Sequence, residues 1–348
     1  MKMIELKTGP WKLTDLELVP KNGLKVMSCF HCGGGSTMGY KLAGYEVLGG
    51  VEIDPEMMAI YKANHKPKYS FLMGVQDFNK LPREKIPDEY LSLDILDGSP
   101  PCSSFSMAGS REKAWGENKK FREGQAHQIL DDLFFDFIRT AEILKPKVVI
   151  AENVKGLIQG KAKGYVKQIF QQFDKAGYDV QLFLLNAAFM GVPQRRERTF
   201  FIARRKDLDF PIIKMNFNEK PISIRNALGI YAEEKGKDFT SSINYKYYKA
   251  IMPGESFSKA HPKGSLFSLI KLDFNKPSPT ITGTNGSDQL YLPTDMFGLS
   301  DNQVKILQSF PLDYNFLKQK AGYVCGMSVP PFMMQRVANQ IYEQWFKA

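Results

Sequence analysis

Cys102 follows two prolines in the run Gly98-Ser99-Pro100-Pro101-Cys102. Proline stiffens the backbone, so the thiol is held in one direction and is a candidate nucleophile. Taken alone, the same cysteine reads more readily as a half-buried structural residue, because unbridged cysteines are usually buried. Two later groups change that balance. Glu152 in Glu152-Asn153-Val154 closes an apolar run, and three arginines crowd into Val192-Pro193-Gln194-Arg195-Arg196-Glu197-Arg198. A thiol, a carboxyl and convergent guanidiniums suit attack on an electron-poor ring. The carboxyl contacts a ring nitrogen, as donor, and an exocyclic amine, as acceptor, the arginines hold a carbonyl and a phosphate backbone, and the thiol adds to carbon. Nearby arginines also lower the pKa of a thiol.

A second constellation precedes the first. Gly33, Gly34, Gly35 and Gly39 form a glycine-rich turn between a strand and a helix, and Glu52 stands at the end of the following strand. Such a turn lets backbone approach a ligand closely, and the acidic residue about 20 positions on can accept ribose hydroxyls. The pattern calls for an adenosine-containing cofactor and leaves a nicotinamide dinucleotide equally open. The same loop contains Cys29-Phe30-His31-Cys32, formally a C-x-x-C. With no second Cys/His pair at zinc spacing, it reads as structural, His31 as a loop residue, and no metal is expected.

These groups need a scaffold that brings strand ends together. Residues 24–50 read as strand, glycine loop, helix and strand, the unit of an open, mostly parallel sheet. The pattern repeats: a strand at 91–96 before the Pro-Pro loop, a helix at 133–144, a strand at 148–151, a helix at 166–176 and strands at 180–185 and 199–203. The fold class expected is α/β, a Rossmann-like sheet with a second, smaller domain. In open α/β sheets, sites form at the carboxyl ends of the strands, where Cys102 and Glu152 both fall.

Near Arg204 apolar runs shorten, and residues 204–276 hold 14 Lys+Arg against 8 Asp+Glu, most of the net charge of +10. That composition suggests a small domain with a basic face, although charge alone favours a solvated insertion. The boundaries expected are 1–203, 204–299 and 300–348, the last segment returning to the first. The 348 residues suit two domains, and 43% hydrophobic content argues against a mostly disordered chain. No apolar run approaches the roughly 18 residues of a membrane span, and the first residues lack the apolar core of a secretory signal. Four cysteines are too few for a disulfide framework. A cytoplasmic protein with a polyanionic partner is expected, from a pI near 9.2.

In order, the blocks Phe30-x-x-Gly33-Gly34-Gly35, Glu52-Ile53-Asp54, Gly98-Ser99-Pro100-Pro101-Cys102, Glu152-Asn153-Val154, Gln194-Arg195-Arg196-Glu197-Arg198, Gln308-Ser309-Phe310-Pro311 and Gly326-Met327-Ser328-Val329-Pro330-Pro331 resemble those of the DNA cytosine-5 methyltransferases. The resemblance covers nearly the whole chain. It implies a large S-adenosylmethionine domain, with S-adenosylhomocysteine as product, and a small target-recognition domain acting on double-stranded DNA. It also implies that Cys102 adds to cytosine C6, Glu152 contacts N3 and N4, Arg198 holds the base carbonyl, and Arg196 supports the thiolate side or the backbone. The target base must be flipped out of the duplex. For the cofactor it implies Phe30, Cys32, Gly33, Gly34, Gly35, Glu52, Ile53, Val75, Pro101, Leu133, Met327, Ser328 and Val329.

Four positions depart from the family pattern. Cys32 replaces a loop glycine, Gly74 an acidic residue (with Asp77 close by), Met327 an asparagine and Ser103 a glutamine. The first three suggest weakened cofactor affinity with intact bond-making groups. The basic, glycine-containing stretch 103–128 is expected to close over DNA as a lid. The chain is expected to act as a monomer in the nucleoid, as a restriction–modification enzyme with a cognate endonuclease as functional partner, or as an orphan or phage enzyme. A tRNA cytosine-5 methyltransferase and a non-catalytic DNA-binding relative are the alternatives.

Overall fold

The structure is a computed structural model and describes residues 8–101, 118–119, 128–129, 132–159, 163–283 and 287–347. Cys102, Ser103 and all of the expected lid except two dipeptide strands lie outside the described residues. The chain forms two compact units. One comprises Pro20–Leu185, Glu197–Met215 and Val337–Ala348; the other comprises Met1–Val19, Asn186–Arg196 and Asn216–Arg336.

The first unit is built on a seven-stranded sheet. In chain order its strands are β1 (Lys25–Cys29), β2 (Glu46–Glu52), β3 (Tyr69–Leu72), β4 (Ile95–Gly98), β5 (Val148–Val154), β6 (Tyr178–Asn186) and β7 (Glu197–Arg205). Their spatial order is β3-β2-β1-β4-β5-β7-β6. The pairs from β3 to β5 are parallel, and β5 pairs with β7 antiparallel. The central strands are apolar along nearly their whole length because both faces are covered; Val148, Val149, Ile150 and Ala151 are all fully buried. The expected strand at 91–96 is displaced. Residues Asp88–Ser92 form a 3-10 turn after Pro87, and extended structure begins at Ile95.

Local chemistry accounts for the helices. In α1 (Gly35–Leu42) the chain leaves the glycine loop through Gly34 in the left-handed region. Helix α2 (Pro55–His65) opens with proline at its first position, and Asp54 accepts from the amides of Glu56 and Met57, a cap of the usual kind. In α3 (Leu133–Leu144) the apolar residues Leu133, Phe134, Phe137, Ile138, Ala141 and Leu144 form one buried stripe. The helix stops where Lys145 turns left-handed before Pro146. Helix α4 (Lys163–Lys175) brings Phe173 edge-on to Phe134, which also meets Phe201 of β7 edge-on.

The basic segment does not begin a new unit at Arg204. Arg204 pairs with Val148 in the sheet, and the first unit continues to Met215. At the C-terminus only residues 337–348 belong with the sheet. Tyr45 donates its hydroxyl to the Ala338 carbonyl, and Trp345 stacks on Phe210. Residues 300–336 cluster with the second unit, so this division does not coincide with boundaries at 203 and 299.

The second unit has little regular structure. A cluster of Tyr248, Ile251, Phe257, Tyr291 and Met296 forms an aromatic-rich core. Helix α5 (Asp301–Leu307) starts at a reciprocal cap between Ser300 and Gln303, and α6 (Ala321–Met327) follows. Trp11 donates its indole N–H to the Ser309 carbonyl at 3.0 Å, which ties the chain's first described residues into this unit.

Candidate active site

In the sheet unit Glu152 and Arg198 lie at strand ends. Glu152 is near the end of β5, and Arg198 is at the start of the antiparallel β7. Nε of Arg198 donates to Oε1 of Glu152 at 2.9 Å, with both side chains mostly buried. Burial lowers the Arg198 pKa, and the Glu152 carboxylate opposes that shift. Such a charged pair sustains itself away from water only with good geometry. The next residue, Asn153, donates Nδ2 to the Pro100 carbonyl at 3.0 Å, and the Asn153 carbonyl accepts from the Thr199 hydroxyl. The Pro100-Pro101 segment, whose next residue is Cys102, is thereby tied to the strand end that carries Glu152. The ordered triplet Glu-Asn-Val contained this signal, but only the fold shows what the asparagine does.

The glycine loop also lies in this unit. Both oxygens of Glu52 accept backbone N–H groups, Oε2 from Cys32 and Oε1 from Asp54, at 3.0 Å each. Burial raises its pKa. With the Ile53 amide also bonding it, the carboxylate's roughly four lone-pair sites still exceed its backbone donors, which suits an acceptor of ribose hydroxyls. Phe30, Gly33, Gly34, Gly35, Ile53, Val75 and Pro101 all belong to this unit. Leu133 is fully buried in the main core. A side chain built on Gly74 would come within 3.7 Å of both the Asp77 carboxylate and the Ile53 side chain.

Asp97 was not anticipated as a special residue. Its signal was an acidic residue inside the short apolar strand Ile95-Leu96-Asp97-Gly98. It is 2% exposed and accepts from Ser28 Oγ at 2.8 Å and Tyr40 Oη at 3.1 Å. Burial pushes its pKa up to about 7, against the two hydroxyl donors and with help from Glu152.

Arg196 goes elsewhere. It belongs to the second unit, is 2% exposed, and donates both Nη atoms: one to the carbonyl of Ile281, the other to those of Gly326 and Ser328. Cys102 lies outside the described residues, and with it the expected support of the thiolate side or the backbone; what the described residues show is a guanidinium that donates to three carbonyls and so clamps backbone. Gln194 acts alongside it, donating to Gln308 and accepting from the Ile281 amide, while Gln308 donates to the carbonyls of Cys325 and Ser328. Three of the sequence blocks therefore interlock through buried polar groups. The Ser328 hydroxyl is donated to the Val324 carbonyl, Val329 is buried, and Met327 is partly exposed with its side chain against Gly283.

The sheet order, with an acidic strand end facing a glycine loop, defines a Rossmann-like methyltransferase fold. The chain belongs to the C-5 cytosine-specific DNA methylase family, whose pattern it matches over residues 24–343. It is 34% identical to the type II methyltransferase M.NgoPII of Neisseria gonorrhoeae, over 69% of this chain and 62% of that protein. It is 32% identical to the type II methyltransferase M.DdeI of Desulfomicrobium norvegicum, over 93% and 89% respectively. Its fold is similar to that of an E. coli prophage-encoded protein described as a DNA modification methyltransferase, with TM-score 0.70, 21% identity, and coverage of 92% and 99%.

Proposed function

We propose that the protein methylates C5 of a cytosine within a specific sequence of double-stranded DNA. The observation that carries this reading is the Glu152–Arg198 pair at strand ends, beside the Pro100-Pro101 segment that Asn153 holds. The protonated Glu152 carboxyl donates to N3 of a flipped-out cytosine while its other oxygen accepts from the N4 amino group, and Arg198 holds the carbonyl. The Cys102 thiolate forms a bond to C6, and the C5–C6 electron pair becomes nucleophilic at C5. S-adenosylmethionine supplies an electrophilic methyl group when bound. Loss of the C5 proton then restores the double bond and expels the thiolate.

The cofactor fits the residues present. Gly33, Gly34 and Gly35 offer backbone for close approach, and Glu52 has acceptor capacity left for a ribose. Phe30, Ile53 and Val75 line the adenine and methionine portions, and Asp77 supplies the carboxylate that Gly74 lacks. Within the expected segment 204–299, the residues that read the DNA sequence fall in the part from Asn216 onward, which lies outside the sheet unit. Its lysines lie over aromatic rings, Lys237 over Phe239 and Lys271 over Tyr248, an arrangement that keeps cationic side chains ordered. No described helix is long and apolar enough to cross a membrane. A cognate endonuclease is the functional counterpart this reading implies.

The test is covalent trapping. A duplex with 5-fluorocytosine at the target, given S-adenosylmethionine, is expected to form an irreversible adduct that maps to Cys102. Bisulfite sequencing of DNA from expressing cells supplies the target. Absence of the adduct on a duplex carrying that target would overturn the mechanism, and methylation of tRNA but not DNA would overturn the substrate.

A further inference from the structure

The cofactor loop contains two non-glycine residues in the left-handed region, Phe30 (φ 54°) and Cys32 (φ 46°), next to Gly34 (φ 73°). Side chains other than glycine enter that region at a cost, and such conformations persist where the surroundings over-determine them. Those surroundings are a buried stack of three rings. His31 lies on Tyr61 with centroids 3.7 Å apart and planes at 23°, and Tyr61 meets His65 at 4.7 Å. All three residues are at most 6% exposed.

We propose that Tyr61 and His65 are positioning residues for the cofactor: the His31–Tyr61–His65 stack sets the path of the glycine loop. This rests on reading that loop as the S-adenosylmethionine cradle. Four contacts carry it. Nε2 of His65 lies 3.4 Å from the Gly33 carbonyl; a carbonyl only accepts, so Nε2 bears the proton. The same logic makes Nδ1 of His31 the donor to the Cys32 carbonyl at 3.3 Å. The Tyr61 hydroxyl pairs with Thr37 of α1 at 2.9 Å, which fixes the helix that leaves the loop. A Cβ on Gly34 would lie 2.2 Å from His65 Nε2 and 3.1 Å from Tyr61 Cδ2, so the rings fill the space beneath that glycine. Cys32, whose carbonyl is held by His31, donates its own N–H to Glu52. A shift of the stack therefore moves both the glycine backbone and the ribose acceptor.

The experiment measures S-adenosylmethionine affinity, methylation kinetics and DNA affinity for His65→Ala, His65→Gln and Tyr61→Phe. In His65→Ala the cofactor Kd and KM are expected to rise about tenfold, with kcat at saturating cofactor within about twofold and DNA Kd unchanged. His65→Gln, whose amide can donate to the same carbonyl, should recover most of the loss, and Tyr61→Phe, which keeps the stack but loses Thr37, should fall between. If His65→Ala does not fold, the Tyr61→Phe and His65→Gln pair carries the comparison. An unchanged cofactor Kd, or parallel losses of kcat and DNA affinity, would overturn the positioning role. Wild-type protein that bound no S-adenosylmethionine would instead overturn the reading of the loop itself.

Discussion

Arg198 reaches Glu152 diagonally across two antiparallel strands: Arg198 is in register with Val154 and Glu152 with Phe200, yet Nε and Oε1 are 2.9 Å apart. A diagonal neighbour is within range of a long side chain on the same sheet face. The pair places a guanidinium beside a carboxyl, and recognition of a pyrimidine carbonyl and its adjacent ring nitrogen, both acceptors, then uses the guanidinium N–H and the protonated carboxyl as donors.

Glu152→Gln should lower single-turnover methylation by about 10²–10⁴, the range for a lost acid–base group, while cofactor affinity stays near wild type. Arg198→Lys should not rescue Arg198→Ala, because an ammonium lacks the planar fork. Single-turnover rates with a defined duplex decide both; a Lys variant at wild-type rate would remove Arg198 from base recognition.

Arg196→Ala is expected to act on stability rather than chemistry. It removes a donor from the carbonyls of Ile281, Gly326 and Ser328, of which the last keeps its bond from Gln308, at a cost on the order of 3 kcal/mol. Urea unfolding measures the loss, and the rate of the folded fraction at low temperature should fall far less than that of Arg198→Ala.

Asn153→Ala removes the tie to the Pro100 carbonyl and should reduce kcat about tenfold or more through a misplaced nucleophile. DNA and cofactor Kd values should remain unchanged. Rapid-quench methylation with both substrates saturating isolates this effect.

Three buried groups, two histidines and an aspartate, give stability opposing pH dependences. Burial lowers His31 to about 4 from an ordinary 6.5, so its contribution is lost as pH falls from 6.5 toward 4. His65, also lowered by burial and by Lys41, acts in the same direction. Asp97 is raised from 3.8 to about 7, so the folded state holds its proton longer and stability is lost as pH rises through that interval. The slope of each is on the order of 1 kcal/mol per pH unit. Asp97→Asn should therefore steepen the gain in stability between pH 5 and pH 7, measured by urea unfolding at each pH; an unchanged slope would contradict the assignment.

Asp77→Ala should weaken S-adenosylmethionine binding several-fold if its carboxylate serves where Gly74 has none. Calorimetric titration of folded protein with S-adenosylhomocysteine checks it.

Much of this protein is local in origin. The helix at 133–144 follows from apolar spacing and ends at Lys145-Pro146, as the pattern requires. The glycine loop and Glu52 are legible because strand, turn and helix are set by near neighbours, and the order of the seven blocks identifies the family. The strand start at Ile95 was missed because leucines at 91 and 93 mimic alternation, although Leu91 is 40% exposed.

What the chain order could not settle is where each polar side chain of one short motif ends up. Gln194, Arg196 and Arg198 alternate along the chain, yet Arg196 serves carbonyls 85, 130 and 132 positions away, while Arg198 pairs with Glu152. Nor could composition show that 186–196 leaves the sheet unit and 197–215 rejoins it. Propensity and periodicity act over a few residues, whereas these destinations depend on distant carbonyls and carboxylates that become neighbours only when the chain folds.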